Sequence, residues 1–496
     1  MSEPVTMRSL RFFFLCIALT TILFVGGLRA SERSGNFRLE SFAIALDPAF
    51  IADTQSRRIV DMLHANLIRG TPDGKFLGEL AQSWEWLDSR TVRFQLRKGM
   101  TFNGARPVTA ADAAWSICRL LQPSAPSRWL FENIRHELND DGKSARCVGL
   151  RSPASDILDI EVATDPGRLL SALAAPPAAI VPSQSEPGEY GVVDGAGPYE
   201  VEQIEPNARV VLRARPGGPV TPGFETATFR LIEDEAIAAL LYRNGDLDVL
   251  EIANPMLFKL ITPWIRDKPE HQIMSSTVDQ IRLLIFNETG IADKLGISVA
   301  DAHRWTRKLR AIVDVDSLAA RFAPLLVPMR TSYFPGQYAT GPVADEGEVI
   351  EPSRRLEVIS ENDPFSDQIT SAIINAVGNN KLDYTGLEKS VLINRLIQRQ
   401  YDIASVTLEA LVHHPAYWLS FFRPGSPFTI FGKPIEGLMD PDEIGASEHN
   451  RMLIDTQGNW LVFAQEKRVV VAQPHISGLT LHPTGLLDYS MVKSRR

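Results

Sequence analysis

Residues 77–112 decide the fold of this chain, and they read LGELAQSWEWLDSRTVRFQLRKGMTFNGARPVTAAD. Apolar and polar side chains alternate along 91–97, and this two-residue period predicts a half-buried β-strand. Thr109 followed by Asp112 resembles a capping box, with Asp in place of the usual Glu. The stretch therefore predicts a strand, a turn and then a helix that runs to about Leu121.

Working outward, the same periodicities predict helices and strands in alternation along the chain. Strands are predicted at 37–45, 249–252, 280–286, 354–360 and 402–407, and helices at 56–68, 235–244, 299–312, 364–378 and 391–400. This alternation predicts an α/β fold. No Ser-, Pro- and Gly-rich linker separates independent domains, so the sequence favours lobes that share crossing segments.

The composition is that of a folded protein, with 496 residues, 44% hydrophobic and 22% charged. Lys and Arg number 51 against 60 Asp and Glu, and the net charge is −9. This balance argues against nucleic acid or an anionic membrane as the main partner, because phosphate binding needs a basic surface. Three cysteines are too few for a disulfide-rich scaffold or a multi-cysteine metal cluster.

The N-terminal segment has the three-part layout of a secretory signal peptide. Arg8 and Arg11 precede an uncharged stretch at 12–28, and polar sequence follows. We expect cleavage after residue 30 and export to the periplasm, which leaves a chain with net charge −11. An uncleaved anchor is the alternative, since 17 residues are at the lower limit for crossing a bilayer core of about 30 Å.

Cys118 and Cys147 are the cysteines that remain after such cleavage. An exported compartment is oxidising, so they could pair as a disulfide. The alternative is two separate buried thiols, and the sequence leaves both open because it does not supply a Cα–Cα distance.

Several catalytic motifs are present in this sequence only in part. The Gly-Lys-Ser at 142–144 lacks the upstream glycine of a phosphate loop, because residue 137 is Glu. The Gly-Ala-Gly at 195–197 is followed by Pro198, which breaks the helix that a dinucleotide loop needs. There is also no Gly-x-Ser-x-Gly elbow. These failures favour a binding protein over an enzyme, with no catalytic residues, metal or cofactor.

His413 and His414 are the one adjacent histidine pair that we tested as a metal site. Neighbours on a strand point to opposite faces, so both cannot easily bind one metal. They are interpreted either as loop histidines before Pro415 or as one histidine that faces a cleft.

The segments LGELAQSW at 77–84, FQLRKGMTFNG at 94–104 and PVTAAD at 107–112 closely resemble one family. They are similar to the family 5 extracytoplasmic solute-binding proteins of ABC transporters, which bind oligopeptides, dipeptides or nickel. GAGPY at 195–199 and YDIA at 401–404 match further motifs of the family in the same order. The resemblance covers about residues 37–490.

The resemblance implies a type II periplasmic-binding-protein fold, with two α/β lobes that close over a ligand like a flytrap. Residues 1–30 would be the signal peptide. Lobe one would be 31–275 plus 465–496, with an additional subdomain at 71–190, and lobe two would be 276–464.

The resemblance also implies which segments line the ligand cleft. The loop at 50–55 contributes Asp53, Thr54 and Gln55, and the segment RWLFENI contributes Arg128 and Trp129. Trp129 has an alternative role in packing a helix face. The remaining candidates follow a predicted strand, and they are Ser405, Thr407, His413, His414 and Trp418.

The sequence departs from the peptide-binding pattern of the family after the strand at 402–407. Peptide-binding relatives carry an Asp that captures the peptide ammonium, and this chain has Leu411 there. Glu409 is close by, and we expect it to face the other way on the strand. A buried ammonium without a counter-charge costs several kcal/mol. A neutral, anionic or metal-chelate ligand was therefore expected to fit the histidines at least as well.

The sequence thus predicts a monomeric receptor for a small molecule or peptide, working with an ABC permease and its ATPase. Contact with the membrane would occur through the permease or through an uncleaved N-terminal segment. Alternatives are a receptor for a nickel chelate or an opine- or sugar-like solute, and a sensor without transport. A metalloenzyme at His413 or His414 is a third alternative, which lacks further ligands at zinc spacing.

Overall fold

The computed structural model describes residues 33–495, except for 43, 52, 140–141, 143, 165, 167, 330–352, 379–380, 414–416, 419–434, 440–447, 451 and 454–458. The predicted signal peptide and His414 lie outside the described residues.

The secondary structure confirms the mixed α/β composition. The helices are α1 Thr54–Leu63, α2 Ala110–Leu120, α3 Arg128–Phe131, α4 Leu169–Leu173, α5 Glu235–Asn244, α6 Pro255–Arg266, α7 Glu288–Leu295, α8 Val299–Ile312, α9 Val315–Arg321, α10 Pro364–Val377 and α11 Lys389–Ile397, with 3₁₀ turns at Pro48–Phe50, Asn103–Ala105 and Pro176–Ala178. The strands are β1 Ser34–Leu39, β2 Ile68–Gly70, β3 Phe76–Gly78, β4 Ala81–Trp86, β5 Thr91–Leu96, β6 Glu137–Leu138, β7 Ala145–Arg146, β8 Leu150–Ala154, β9 Ile157–Glu161, β10 Tyr199–Glu205, β11 Arg209–Ala214, β12 Thr226–Leu231, β13 Val249–Ile252, β14 Gln272–Phe286, β15 Leu326–Pro328, β16 Leu356–Glu361, β17 Leu382–Leu387, β18 Ile403–Glu409, β19 Trp460–Ala472, β20 Ile476–Ser477, β21 Thr480–Leu481, β22 Leu487–Asp488 and β23 Lys493–Ser494.

Lobe one is built on a four-stranded sheet in the order β1-β12-β11-β10, with α1 packed against it. The sequence predicted that the first strand would continue to residue 45, and this was wrong, because β1 ends at Leu39. Beyond that point the backbone N–H of Glu40 donates to Gln55 and that of Ala45 donates to Ser56 Oγ. Side chains of α1 thus bond to donors that a strand would have used.

The additional subdomain contains a second sheet, in the order β4-β5-β9-β8. The predicted capping box is confirmed, because Thr109 and Asp112 bond reciprocally at the start of α2. Cys118 on α2 and Cys147 after β7 form a disulfide, with their Cα atoms 5.8 Å apart. This is the pairing that the sequence left open, and it joins the β6–β7 hairpin to α2.

Two long antiparallel strands, β14 and β19, cross between the lobes. Near lobe one, Gln272–Thr277 of β14 pairs with β19, which also pairs with β13. The register breaks between Thr277 and Ile281, and beyond it the two strands join β18, β16 and β17 in the sheet of lobe two. The sequence predicted β14 from residue 280 only, because its first half is polar and exposed rather than apolar.

Among the described residues, each lobe has apolar cores of its own, and a further core links the additional subdomain to lobe two. Lobe one buries Phe37, Phe229 and Tyr489 together, and lobe two buries Trp305 and Phe322 beneath its helices. The linking core runs from the subdomain sheet to the opposite face of the lobe-two sheet. Each fully buried large apolar side chain contributes about 1.5–3 kcal/mol, so these clusters stabilise the two-lobed arrangement.

The Gly-Ala-Gly at 195–197 has a structural role at the end of α1. A Cβ on Gly195 would lie 2.1 Å from the carbonyl oxygen of Leu63, and one on Gly197 would lie 2.4 Å from that of Met62. Only glycine permits this approach of the loop to the helix. The motif therefore fixes the C-terminal end of α1, the helix whose N-terminal half faces lobe two.

Candidate functional site

A cavity of about 750 Å³ lies between the lobes, beside the crossing strands. Its walls are formed by the C-terminal end of β1, the N-terminal ends of α5, α6 and α10, and strands β14, β18 and β19. The lining residues are Arg38, Glu40, Glu233–Ala236, Glu251–Asn254, Leu257, Gln280, Arg282, Leu325, Glu361, Asp363–Ser366, Lys389, Thr407, Glu409 and Glu466–Val469. We call this cavity the cleft.

The fold explains why polar groups gather in the cleft. Strands β16 and β18 are parallel, so their carboxyl ends meet at one edge of the sheet. Ligands of open α/β sheets bind outside the carboxyl ends of the strands. Glu361 and Glu409 end these two strands, and helix α10 begins just after β16 with Asp363 as its cap.

Glu409 is the centre of an ion-pair network at the floor of the cleft. Its carboxylate lies 3.0 Å from the guanidinium of Arg57 and 3.3 Å from that of Arg468, and it accepts a 2.7 Å hydrogen bond from Thr54. Burial raises the pKa of Glu409, but the positive charges of Arg57 and Arg468 outweigh it and hold the pKa below its usual value. Glu409 therefore joins α1 of lobe one to β18 of lobe two as a carboxylate.

The network continues to Glu251, at the lobe-one side of the crossing strands. The Glu251 carboxylate lies 2.6 Å from Arg58 and 3.2 Å from Arg468. Arg58 is almost fully buried, and burial lowers its pKa, but Glu251 reverses this and raises the pKa above the usual value. Arg468 thus bridges two carboxylates, one toward each lobe, and stays charged.

A second ion pair lies on the lobe-two wall of the cleft. Arg282 on β14 lies 2.6 Å from Glu466 on β19, and its guanidinium carbon is 4.3 Å from the ring centroid of Phe365 on α10. The same arginine donates to Ser366 Oγ at 3.3 Å. These contacts fix the start of α10 against the crossing strands.

The predicted binding loop at 50–55 lies behind the wall of the cleft and not on its surface. Asp53 caps α1 by accepting from the backbone of Ser56, and the buried Gln55 accepts from the backbone of Glu40. Thr54 is the member of this set that reaches the other lobe, through its bond to Glu409. The loop therefore orients α1 and its two arginines.

On β18, the structure places Thr407 in the cleft and leaves Ser405 buried beneath it. The expectation that Glu409 faces away was wrong, because residues 405, 407 and 409 share one face of the strand. The strand ends at Glu409, and Leu411 turns back to pack against the apolar core. The acid expected at position 411 is absent, but the cleft is rich in carboxylates from other segments.

Trp129 and Trp418 do not line the cleft in this structure. The Trp129 ring lies 5.2 Å from that of Tyr417, and Tyr417 lies 5.1 Å from Trp418, all three being buried. The Tyr417 hydroxyl donates to the backbone oxygen of Glu409 at 2.6 Å. Arg128 pairs with Glu132 on its own helical turn. The three aromatic side chains therefore form a contact between the additional subdomain and lobe two.

His413 pairs with Asp279, which lies in the register break of the crossing strand β14. The hydrogen bond to Asp279 raises the pKa of His413, although burial opposes it. The described residues 411–413 form a bend and not a strand. Within the described part of the chain, no group of three or more His, Cys, Asp or Glu side chains could hold a metal ion.

Sequence reasoning missed most of the charged residues at the floor and wall of the cleft. Glu251, Arg282, Glu466 and Arg468 interrupt strands that are otherwise largely apolar, and Arg58 lies on the buried side of α1. Charged residues are rarely buried unless they are paired. A charge inside an apolar strand is therefore the signal that could have found them.

Comparison with known proteins gives a consistent assignment. Residues 75–302 match the family model of bacterial extracellular solute-binding proteins, family 5. The periplasmic oligopeptide-binding protein OppA of Escherichia coli is 24% identical over 242 residues, which cover 45% of this chain and 44% of that protein. The nickel-binding periplasmic protein of Escherichia coli is 24% identical over 262 residues, covering 51% and 48%.

Among solved structures, Haemophilus influenzae OppA in complex with RPPGFSPFR matches with a TM-score of 0.78 at 14% identity. The match covers 94% of this chain and 99% of that one, so the two share the two-lobed fold. The matched region spans less than half the length of the two curated relatives named above. In the described part of the chain, no helix is long and apolar enough to cross a membrane.

These similar proteins are binding proteins and not enzymes. This agrees with the prediction of a binding protein that followed from the incomplete catalytic motifs. The family match over residues 75–302, the curated relatives and the shared two-lobed fold together support a family 5 bacterial extracellular solute-binding protein.

Proposed function

We propose that this chain is an exported receptor of an ABC importer, which captures a small solute between its two lobes and delivers it to a permease. The observation that carries the proposal is the cleft, which both lobes line and which the crossing strands bound. Its volume of about 750 Å³ is in the range of small-molecule and short-peptide sites.

The lining supports binding rather than catalysis. Apolar contact is offered by Leu257, Leu325 and Phe365, and polar groups from both lobes surround them. Ligand sites combine apolar surface with a few polar groups that fix orientation. A solute that touches both walls favours the closed state by its differential affinity, and no chemical step is needed.

The crossing strands supply the hinge for this closure. Their ladder is interrupted between Thr277 and Ile281, where backbone dihedrals can change without breaking regular pairs. The ion pair between Arg57 and Glu409 would separate when the lobes open.

The relatives' names make a peptide the default ligand, since the Escherichia coli relative is an oligopeptide-binding protein and Haemophilus influenzae OppA is solved with RPPGFSPFR. A nickel-binding relative is also matched. In this chain, however, Trp129 contacts Tyr417 and His413 contacts Asp279. A nickel chelate therefore stays the alternative ligand of the proposal.

Export, the domain boundaries and the permease partner are part of the same proposal. Sequencing the N-terminus of the protein recovered from the periplasmic fraction tests the first of these. We expect a mature chain that begins near residue 31, and retention of residues 1–30 would favour the anchored alternative.

A thermal-shift screen tests the receptor function. We expect a compound among peptides, amines, sugars, opines and nickel chelates to raise the melting temperature by mass action. Thr407→Phe, which fills the cleft, should abolish the shift, while Thr164→Phe on the surface of the subdomain should not. The proposal fails if no compound stabilises the chain or if both variants respond equally.

A further inference from the structure

The unpaired charges of the cleft are mostly negative, and they sit on both lobes. On lobe one, Glu233 is exposed and Asp234 caps α5. On lobe two, Glu361 is half-buried and Asp363 caps α10. Among the described residues none of these four carboxylates has an ion-pair partner. Lys389 and Lys467 are the cations of the cleft that likewise have none.

The arginines of the cleft do not compensate these carboxylates, because each already has a partner. Arg282 pairs with Glu466, and Arg468 pairs with Glu251 and Glu409. Arg38 lies 3.8 Å from Glu40 and donates to the backbone oxygens of residues 232 and 233. Among the described residues, the walls and floor carry nine carboxylates and, with the buried Arg57 and Arg58 included, seven cations, an excess of two negative charges.

We infer that the cleft selects a solute with at least two positive charges, such as a basic peptide or a linear polyamine, held between Glu233 and Asp234 on lobe one and Glu361 and Asp363 on lobe two. This inference rests on the receptor function proposed above. It replaces the sequence-based expectation of a neutral, anionic or chelate ligand, which considered the missing acid at position 411 alone.

The placement of the charges on opposite lobes couples this selectivity to closure. Like charges on facing walls repel, and the repulsion grows as water is excluded from the narrowing cleft. A solute with two cationic groups removes the repulsion and adds attraction to each wall. An anionic solute would add to the repulsion, and Lys389 and Lys467 are the unpaired lysines that the described part of the cleft offers it.

Titration calorimetry with four probes tests the inference. The probes are tri-lysine, spermidine, tri-alanine and tri-glutamate at low ionic strength. We expect tri-lysine, spermidine or both to bind, and affinity to fall several-fold when salt is raised from 50 to 300 mM, because salt screens charge attraction. Binding of tri-lysine alone identifies a basic peptide as the natural source, and binding of spermidine alone identifies a polyamine.

A double variant locates the site. The double variant Glu233→Gln with Glu361→Gln should lower the affinity for the cationic probe by about tenfold or more, since each lobe loses one charge that faces the solute. The matched control is Glu202→Gln with Asp293→Asn, which removes one exposed carboxylate from each lobe outside the cleft. The control should bind as the wild type does, and both proteins should show the same melting temperature without ligand.

The inference is overturned if neither cation binds, if tri-alanine or tri-glutamate binds as tightly, or if the double variant binds like its control. In those cases the receptor function still stands when another compound of the thermal-shift panel stabilises the chain. The two failures are therefore distinguishable.

Discussion

Arg57 on helix α1 of lobe one lies 3.0 Å from the carboxylate of Glu409, the last residue of strand β18 in lobe two. Thr54 on the same helix donates to that carboxylate, and Arg468 on the crossing strand approaches it to 3.3 Å. Glu409 is thus the residue at which lobe one, a crossing strand and lobe two meet. Its environment explains why a charged side chain is tolerated at a mostly buried position.

We expect Glu409→Gln to lower the free energy of unfolding by about 3 kcal/mol, because Arg57 and Arg468 lose a carboxylate partner in a largely buried setting. Urea denaturation measures the change. Glu388→Gln, an exposed carboxylate of lobe two, is the control and should change stability by less than about 0.5 kcal/mol. Equal stabilities of the two variants would mean that the network is energetically neutral.

Loss of the disulfide should destabilise the additional subdomain. The bond links residues separated by 29 positions, and closing a loop of that length stabilises the folded state by about 3–4 kcal/mol. We expect Cys118→Ala with Cys147→Ala to unfold at lower denaturant, and the wild type to match it when dithiothreitol is added. If dithiothreitol leaves the denaturation midpoint of the wild type unchanged, the disulfide contributes nothing to stability in solution.

Trp129→Ala tests the aromatic contact between the subdomain and lobe two. Removing a buried tryptophan costs about 3–5 kcal/mol, and the loss of the Tyr417 contact should also let the lobes separate. Denaturation measures the first effect and an increased radius of gyration in small-angle scattering measures the second. Trp86→Ala, at a 40% exposed position of the same subdomain, is the control and should change the stability and the radius of gyration only slightly.

An unaltered radius of gyration for Trp129→Ala, despite its lower stability, would mean that Trp129 packs within the subdomain without holding the lobes together.

The His413–Asp279 pair should make stability depend on pH. The folded-state pKa of His413 is raised by its hydrogen bond to Asp279. Protonated His413 therefore stabilises the fold fully below the ordinary histidine pKa of about 6.5, and this contribution is lost as pH rises through the higher folded value. His413→Gln should be less stable than the wild type at acidic pH and converge with it at alkaline pH.

His482 is present in both proteins, and burial together with the positive charge of His413 lowers its pKa to about 4. His136→Gln in the additional subdomain is the control. A constant stability difference between His413→Gln and the wild type across the pH range would contradict the ion pair.

Local signals in the sequence predicted the elements whose ends are locally determined. Helix α5 runs from 235 to 244 as predicted, because Asp234 caps its start and Gly245 ends it in the left-handed conformation with φ of 83°. Strand β13 and helix α8 also have the predicted bounds. The end of β1 was missed because the competing hydrogen bonds come from side chains of α1.

The residues that meet in the cleft could not be predicted from local sequence patterns. Thr54 and Glu409 are 355 positions apart, and Arg58 and Glu251 are 193 apart, so their pairing depends on the complete fold. The family resemblance indicated strand β18, which lines the cleft, but did not indicate that Glu409 faces the cleft. It also indicated Trp129 and Trp418, which the structure buries against Tyr417.

The central claim is that the cleft captures a solute as the two lobes close around it. Small-angle scattering of the chain, alone and saturated with the most stabilising compound of the thermal-shift panel, tests this directly. We expect 1:1 binding and a smaller radius of gyration in the wild type, with neither effect in Thr407→Phe. Binding that Thr407→Phe leaves intact would place the solute outside the cleft and contradict the account.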